Sequence, residues 1–349
     1  MGITRTDMNA ATRPEGQQQS LEFTKREPLP AVVGVNAFYR TAWGAAYLGD
    51  ALELLRKLPE DSVNLVVTSP PYALHFKKEY GNVSKESYVK WFLPFAREIQ
   101  RVLKKDGSFI LNIGGSWNPK SPTRSLYQYK LLIALVEEIG LHLAQELYWY
   151  NPAKMPAPAE WVTVRRIRVK DSVEHVWWLG KTAWPKASNL NVLRAYSADM
   201  IRLNRRGLRE TVRPSGHVIH KSWDKMKTEG AIPPNVIEQT AEDMLRFGNN
   251  AANDAYTIRC KAAGIKIHPA RFPAALPSFF IRMLTEEGEI VLDPFAGSNT
   301  TGATAEGLNR QWLAIEAVRE YLEASRFRFD CVDQSNPAEP RAAMINSSG

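Results

Sequence analysis

Cysteine is almost missing from this chain. It occurs twice in 349 residues, as Cys260 and Cys331, and neither follows a proline or belongs to a Cys-x-x-Cys pair. A disulfide framework and a thiol-ligated metal centre are thereby excluded. The histidines do not take their place: His217, His220 and His268 are scattered, and no metal is expected. No apolar stretch approaches the ~20 residues that cross a bilayer. The amino-terminal residues contain no apolar signal-peptide core. These absences predict a cytoplasmic protein without membrane contact.

Core-forming residues and positive charge are plentiful. Hydrophobic residues make up 44% of the chain, enough for one large core or two domains. The formal net charge is +8, and it is unevenly spread. From Thr163 to Gly230, 15 Lys and Arg stand against 6 Asp and Glu, so this stretch alone exceeds the excess of the whole chain. Its clusters are Arg165-Arg166-Ile167-Arg168-Val169-Lys170, then Arg202, Arg205, Arg206, Arg209 and Arg213, then Lys221, Lys225 and Lys227. Such density suits a phosphate backbone. A charge run taken alone is more often an ordinary solvated surface.

Two short loops carry the chemistry. Thr68-Ser69-Pro70-Pro71-Tyr72 follows the apolar run Val63-Asn64-Leu65-Val66-Val67. Asp293-Pro294-Phe295-Ala296-Gly297-Ser298-Asn299-Thr300-Thr301-Gly302 follows Ile290-Val291-Leu292. Each run reads as a buried parallel strand whose carboxyl end opens into a loop. Ligands of open α/β sheets sit at those ends. Loops about 220 positions apart can meet only if one sheet holds both strands.

The second loop reads as a binder of S-adenosylmethionine. Gly297 lets the backbone approach a ligand, and Ser298, Asn299, Thr300 and Thr301 offer a polar helix start. No Lys follows the glycines, which excludes a nucleotide P-loop. Trp312-Leu313-Ala314-Ile315-Glu316 is a second strand ending in an acid suited to ribose hydroxyls. The glycine loop alone is also compatible with a plain βαβ turn. The first loop offers two acceptors, the Ser69 hydroxyl and the Pro70 carbonyl, to the hydrogens of a conjugated amino group. Its two prolines stiffen it, and Tyr72 offers a face to a base turned out of a duplex. By itself the tetrapeptide is equally compatible with a strand-terminating turn and a core tyrosine.

With these loops in this order, the chain resembles the amino-group DNA methyltransferases of the permuted (β-type) arrangement, most closely the N4-cytosine enzymes of the PvuII methyltransferase type. The resemblance runs from about Tyr47 to Phe329. It includes Tyr47-Leu48-Gly49-Asp50, Gly107-Ser108-Phe109-Ile110-Leu111-Asn112-Ile113-Gly114 and His268-Pro269-Ala270-Arg271-Phe272-Pro273. It implies a Rossmann-like S-adenosylmethionine-dependent α/β fold with an inserted target-recognition domain. Asp50 would lie near the cofactor adenine, and Phe272 on its methionine side. Asp293, Phe295, Gly297, Ser298, Asn299, Thr300 and Glu316 would complete the cofactor site. Ser69, Pro70, Pro71 and Tyr72 would be catalytic. Ser before Pro-Pro implies cytosine N4, with N6-adenine as the alternative. A non-catalytic DNA-binding module would keep the basic stretch but need neither loop. An RNA methyltransferase is a third possibility that charge does not separate. Without a Pro-Cys setting, carbon-5 methylation lacks its nucleophile.

There are two departures from the pattern. Asn299 stands where a second glycine is usual, and asparagine tolerates the left-handed conformation better than most residues. Asn112 stands where some relatives carry an acid, so no carboxylate proton acceptor is expected at that point.

Residues 1–35 read as a loose polar segment, 41–182 and 266–332 as two parts of one α/β domain, 183–265 as the target-recognition region and 333–349 as a tail. Helices are expected over Glu86–Leu103 and Leu126–Glu138, and strands at Leu147–Tyr150 and Val173–Leu179. Arg165, Arg166, Arg205, Arg206, Arg213 and His217 are the expected contacts to double-stranded DNA. The expected assembly is a monomer, with a cognate restriction endonuclease as a genetic rather than physical partner.

Overall fold

The computed structural model describes residues 28–73, 83–152, 154–206, 211–212, 214, 218–219, 230–238 and 255–329. Arg213 and His217 lie outside them, as do Cys331, Lys221, Lys225 and Lys227. Among the described residues no helix is long and apolar enough to cross a membrane.

Among the described residues nine strands form one mixed sheet. In spatial order they are β1 (Tyr39–Arg40), β2 (Gly44–Leu48), β11 (Gln311–Glu316), β10 (Ile290–Asp293), β3 (Val63–Thr68), β4 (Leu103–Ile113), β6 (Val173–Gly180), β5 (His142–Tyr150) and β9 (Val236–Ile237). From β2 to β4 all neighbours are parallel, whereas β6 runs antiparallel to both β4 and β5. The late strands β10 and β11 thus lie between the early strands β2 and β3. A separate antiparallel pair joins β7 (Thr211–Val212) to β8 (Val218–Ile219).

Alternation along the strands divides the core into two layers. Val66, Leu111, Leu292, Leu313 and Ile315 face one side, where α1 (Ala51–Arg56), α2 (Tyr88–Val102) and α3 (Tyr127–Glu137) pack. Leu65, Val67, Ile110, Val291, Trp312 and Ala314 face the other, against α4 (Ala275–Leu284). In α2 the buried residues Tyr88, Phe92, Phe95, Ile99 and Val102 recur at helical spacing, giving it a single apolar stripe. Both expected helices form, and the strand expected at Leu147–Tyr150 begins earlier, at His142.

The junction of β3 and β10 is short and stitched at both ends. The ladder pairs Leu65 with Val291 and Val66 with Leu292. Before it, the buried Asn64 side chain accepts the Ile290 N–H at 3.1 Å, which explains an amide inside an apolar run. Beyond it, the Thr68 hydroxyl donates to Asp293 Oδ1 at 2.6 Å. Thr301 Oγ1 donates to Asp293 Oδ2 at 2.7 Å, tying in α5 (Thr300–Glu306).

Residues 186–191, at the start of the expected recognition region, are bonded to residues 282–289. Lys186 reaches Glu289 at 2.9 Å, Ser188 N donates to Met283 O, and Asn191 Nδ2 donates to Arg282 O.

Asp293 is 1% exposed, and burial pushes its carboxyl up to about 6 despite hydrogen bonds from Thr68, Thr301 and the Phe295 N–H. An ordinary Asp titrates near ~3.9. The folded state therefore binds this proton more tightly than the unfolded chain. The stability it contributes is present below about pH 4 and is lost as pH rises through about 6. Asp293→Asn removes this titration. Its melting temperature relative to the parent should rise between about pH 4 and about pH 7. A difference that stays flat across that range would reject the assignment.

Candidate active site

The loop after β3 is fixed from three sides. The Tyr88 hydroxyl of α2 donates to the Pro71 carbonyl at 2.9 Å. The Tyr72 ring rests on Gly114, where a Cβ would come within 2.6 Å of it, so glycine is what permits the approach. The Tyr127 hydroxyl in turn donates to the Gly114 carbonyl. Ser69 is half-buried and Pro70 buried. Ser69 Oγ donates to Tyr72 Oη at 3.1 Å. Tyr72 Oη has acceptors at Glu174 Oε2, 2.9 Å, and Asn112 Oδ1, 3.1 Å. Burial, and then the charge of Glu174, holds the Tyr72 phenol well above its ordinary range, so it keeps its proton.

The loop after β10 uses its polar residues in two ways. Gly297, at φ 54°, faces His268, whose imidazole would stand 3.0 Å from a Cβ. Its N–H donates to Glu316 Oε2 at 2.8 Å, while the Val318 N–H donates to Oε1 at 2.9 Å. Burial raises the Glu316 carboxyl above its usual range against these two hydrogen bonds. Ser298 is held by Arg328, which donates to its carbonyl at 2.6 Å and its hydroxyl at 3.0 Å. Asn299 adopts the left-handed conformation, φ 54° and ψ 43°, and its Oδ1 caps the Gly302 N–H at 3.0 Å. Its Nδ2 donates to the Tyr39 hydroxyl at 3.1 Å.

Both loops open into one cleft of about 840 Å³. Ser69, Pro70, Pro71 and Tyr72 form one wall, and Phe295, Gly297, Ser298, Thr300 and Glu316 another. Phe295 is braced by Trp91 and Phe95, with ring centroids 6.1 and 5.2 Å away. Asp50 stands at the cleft and also caps α1, its Oδ1 accepting from the Leu52 and Glu53 N–H groups. Phe272 lines the cleft with His268 and packs on the second core layer.

Two of the expected ligand-contacting residues do not line this cleft. Asp293 is consumed by Thr68, Thr301 and the Phe295 N–H, and fully buried Asn299 by Gly302 and Tyr39. Both stand behind the loop and shape it, because each buried polar atom there must find a partner within the protein. Arg165, Arg166, Arg205 and Arg206 are exposed and outside the cleft. Arg165 pairs with Glu160 at 2.6 Å and lies over Trp161. Glu174 and Lys154 line the cleft without having been singled out in the sequence. Their only signal was one acid, Glu174, within the apolar run Val173–Leu179.

A family model described as DNA methylase matches residues 63–327. The type II methyltransferase M.PvuII of Proteus hauseri is 48% identical over 299 residues, covering 85% of this chain and 86% of its own. The type II methyltransferase M.ScaI of Streptomyces caespitosus is 26% identical, with 85% of each chain covered. The solved structure of the PvuII DNA methyltransferase (cytosine-N4-specific) superimposes with a TM-score of 0.67 at 44% identity, covering 85% of this chain and 89% of that one. The chain belongs to the N6 and N4 DNA methylase family.

Proposed function

We propose that the chain transfers a methyl group from S-adenosylmethionine to the exocyclic N4 of cytosine in duplex DNA, as the modification half of a restriction-modification system. The observation that carries this reading is the meeting of the Ser69-Pro70 acceptors with the Gly297–Glu316 cradle in one cleft. The relative named cytosine-N4-specific, at 44% identity, supports the choice of base. The enzyme acts in the cytoplasm as a monomer, and a cognate endonuclease is a genetic partner.

The donor set fits S-adenosylmethionine. A ribose diol needs an acceptor, and Glu316 offers a carboxylate at the cleft. Asp50 serves the adenine end, Ser298 and Thr300 the polar tail, and Phe295 and Phe272 the apolar walls. When bound, the cofactor supplies an electrophilic methyl group. Asp293 and Asn299 hold the loop that receives it.

The chain's own residues act on the amino group. Its nitrogen lone pair is delocalised into the base ring and is a poor nucleophile. The Ser69 oxygen and the Pro70 carbonyl accept its hydrogens and favour a tetrahedral nitrogen whose lone pair is available. The flipped cytosine lies by Tyr72, and unstacking it costs a few kcal/mol that the pocket contacts offset. Prolines, Tyr88 and Gly114 fix these acceptors beforehand, so little reorganisation accompanies reaction. Segment 183–265 reads the target. Arg165, Arg166, Arg205, Arg206, Arg213 and His217 supply contacts to DNA.

Nucleoside digestion of modified DNA, followed by mass spectrometry, should yield N4-methylcytosine. N6-methyladenine would overturn the base assignment, and 5-methylcytosine the mechanism. Ser69→Ala should slow single-turnover transfer about 100- to 1,000-fold with DNA binding nearly intact. Transfer at the parent rate would remove Ser69 from the reaction.

Glu316→Ala should weaken S-adenosylmethionine binding by about 1.5–3 kcal/mol, the usual worth of a hydrogen bond to a charged acceptor. Unchanged affinity in a folded variant, measured by calorimetry without DNA, rejects the ribose role. Replacing Arg205 and Arg206 together should weaken binding to target and random DNA alike and flatten its salt dependence. Normal affinity at every salt concentration would take those arginines off the DNA.

A further inference from the structure

A methylated amino nitrogen must lose a proton, and one carboxylate in the cleft touches the catalytic loop. Glu174 stands on β6 opposite Trp149 of β5, its side chain 14% exposed. Its Oε1 lies 3.0 Å from Lys154 Nζ and its Oε2 2.9 Å from Tyr72 Oη. An ionised carboxylate accepts hydrogen bonds and donates none, so Tyr72 is the donor in this pair. Tyr72 has a single proton to give. Asn112 Oδ1 competes for it at 3.1 Å, but a bond to an ionised acceptor is the stronger of the two. Asn112 is itself held, its Nδ2 donating to the His175 carbonyl at 3.2 Å.

The direction of the next bond follows. With its proton turned to Glu174, the Tyr72 oxygen accepts from Ser69 Oγ, 3.1 Å away. Ser69 then spends its own proton on Tyr72 and presents lone pairs to the cleft. That is the polarity an amino group requires. A Ser69 hydroxyl free to rotate could instead point its hydrogen at the substrate nitrogen.

We propose that Glu174 sets the direction of the Ser69–Tyr72 hydrogen bonds and is the final acceptor of the proton released by the methylated amino group. This rests on the amino-methylation reading above. The N–H bond breaks and its electron pair stays on nitrogen. The proton passes to Ser69 Oγ, the Ser69 proton to Tyr72 Oη, and the Tyr72 proton to Glu174. Both hydroxyls end neutral. The positive charge on nitrogen and the negative charge on Glu174 are both discharged, and Lys154 keeps its charge beside the neutral carboxyl. Glu174 acts through Tyr72 and never touches the base, which makes it a positioning residue. In this chain it supplies from β6 the acid that Asn112 does not supply from β4.

The test is single-turnover methyl transfer by Glu174→Gln, with cofactor and DNA affinities measured beside it. Gln is nearly isosteric but lacks the charge. The expected result is transfer slowed roughly 100-fold, in the usual range for a lost proton acceptor, with both affinities unchanged. Adding Asn112→Asp should recover at least about tenfold of that loss, because a carboxylate then returns to Tyr72 from the other side. In a Tyr72→Phe background, Glu174→Gln should slow transfer no further, since the link between the two is already cut. If Glu174→Gln does not fold, Glu174→Asp replaces it, with the carboxylate withdrawn by one methylene and slower transfer expected at unchanged affinities. Parent-rate transfer by the folded variant, no recovery with Asn112→Asp, or equal slowing with and without the Tyr72 hydroxyl would each overturn the proposal. A parent product other than an N-methylated base would overturn the functional reading as well, whereas those three results with N4-methylcytosine as the product overturn the role of Glu174 alone.

Discussion

A single buried hydrogen bond, from Thr68 to Asp293, joins the carboxyl ends of two strands whose sequences lie more than 200 residues apart. The ladder between those strands is only two pairs long. What keeps the loops side by side is therefore the side-chain stitching at each end, Asn64 to Ile290 below and Thr68 to Asp293 above. The geometry at the cleft inherits this arrangement. Ser69 is the residue after Thr68, and Phe295 donates its N–H to the same carboxylate oxygen that Thr68 holds. A change at Asp293 would shift both walls at once.

The cleft is built largely from acceptors and aromatic faces. Glu316 takes two backbone N–H groups, and Asp50 caps a helix while it borders the cleft. The hydroxyls of Tyr72, in the Ser69 loop itself, and of Tyr88 and Tyr127 behind it each donate to a different partner. Burial keeps all three phenols protonated well beyond their ordinary range. The wall is thus rigid and proton-rich behind, with carbonyl and carboxylate oxygens forward, a polarity suited to receiving an amino group.

Much of this was legible in the sequence, for identifiable reasons. β3 and β10 showed as short apolar runs closed by turn residues, and the left-handed position of Asn299 followed from the known tolerance of asparagine. The roles of individual polar residues were harder to read. Asp293 and Glu316 both end strands and look equivalent as letters, yet one is buried behind the loop and the other borders the cleft. That difference comes from packing across the sheet, which no local pattern encodes. Glu174 was hidden for a related reason. It belongs to an antiparallel strand that reaches the site through its pairing with β4 and β5, and only that register brings its carboxylate to Tyr72.

The interleaving of late strands among early ones also bears on how the chain is made. While β2 and β3 are already off the ribosome, the places between them that belong to β11 and β10 stay empty until the last part of the sequence emerges. Contacts of such long sequence separation form slowly. During synthesis the nascent sheet therefore carries open, apolar strand edges, a setting that favours mispairing and chaperone capture. A prematurely terminated chain would carry the Ser69 loop without its counterpart, so such fragments would be cleared or aggregate without modifying DNA.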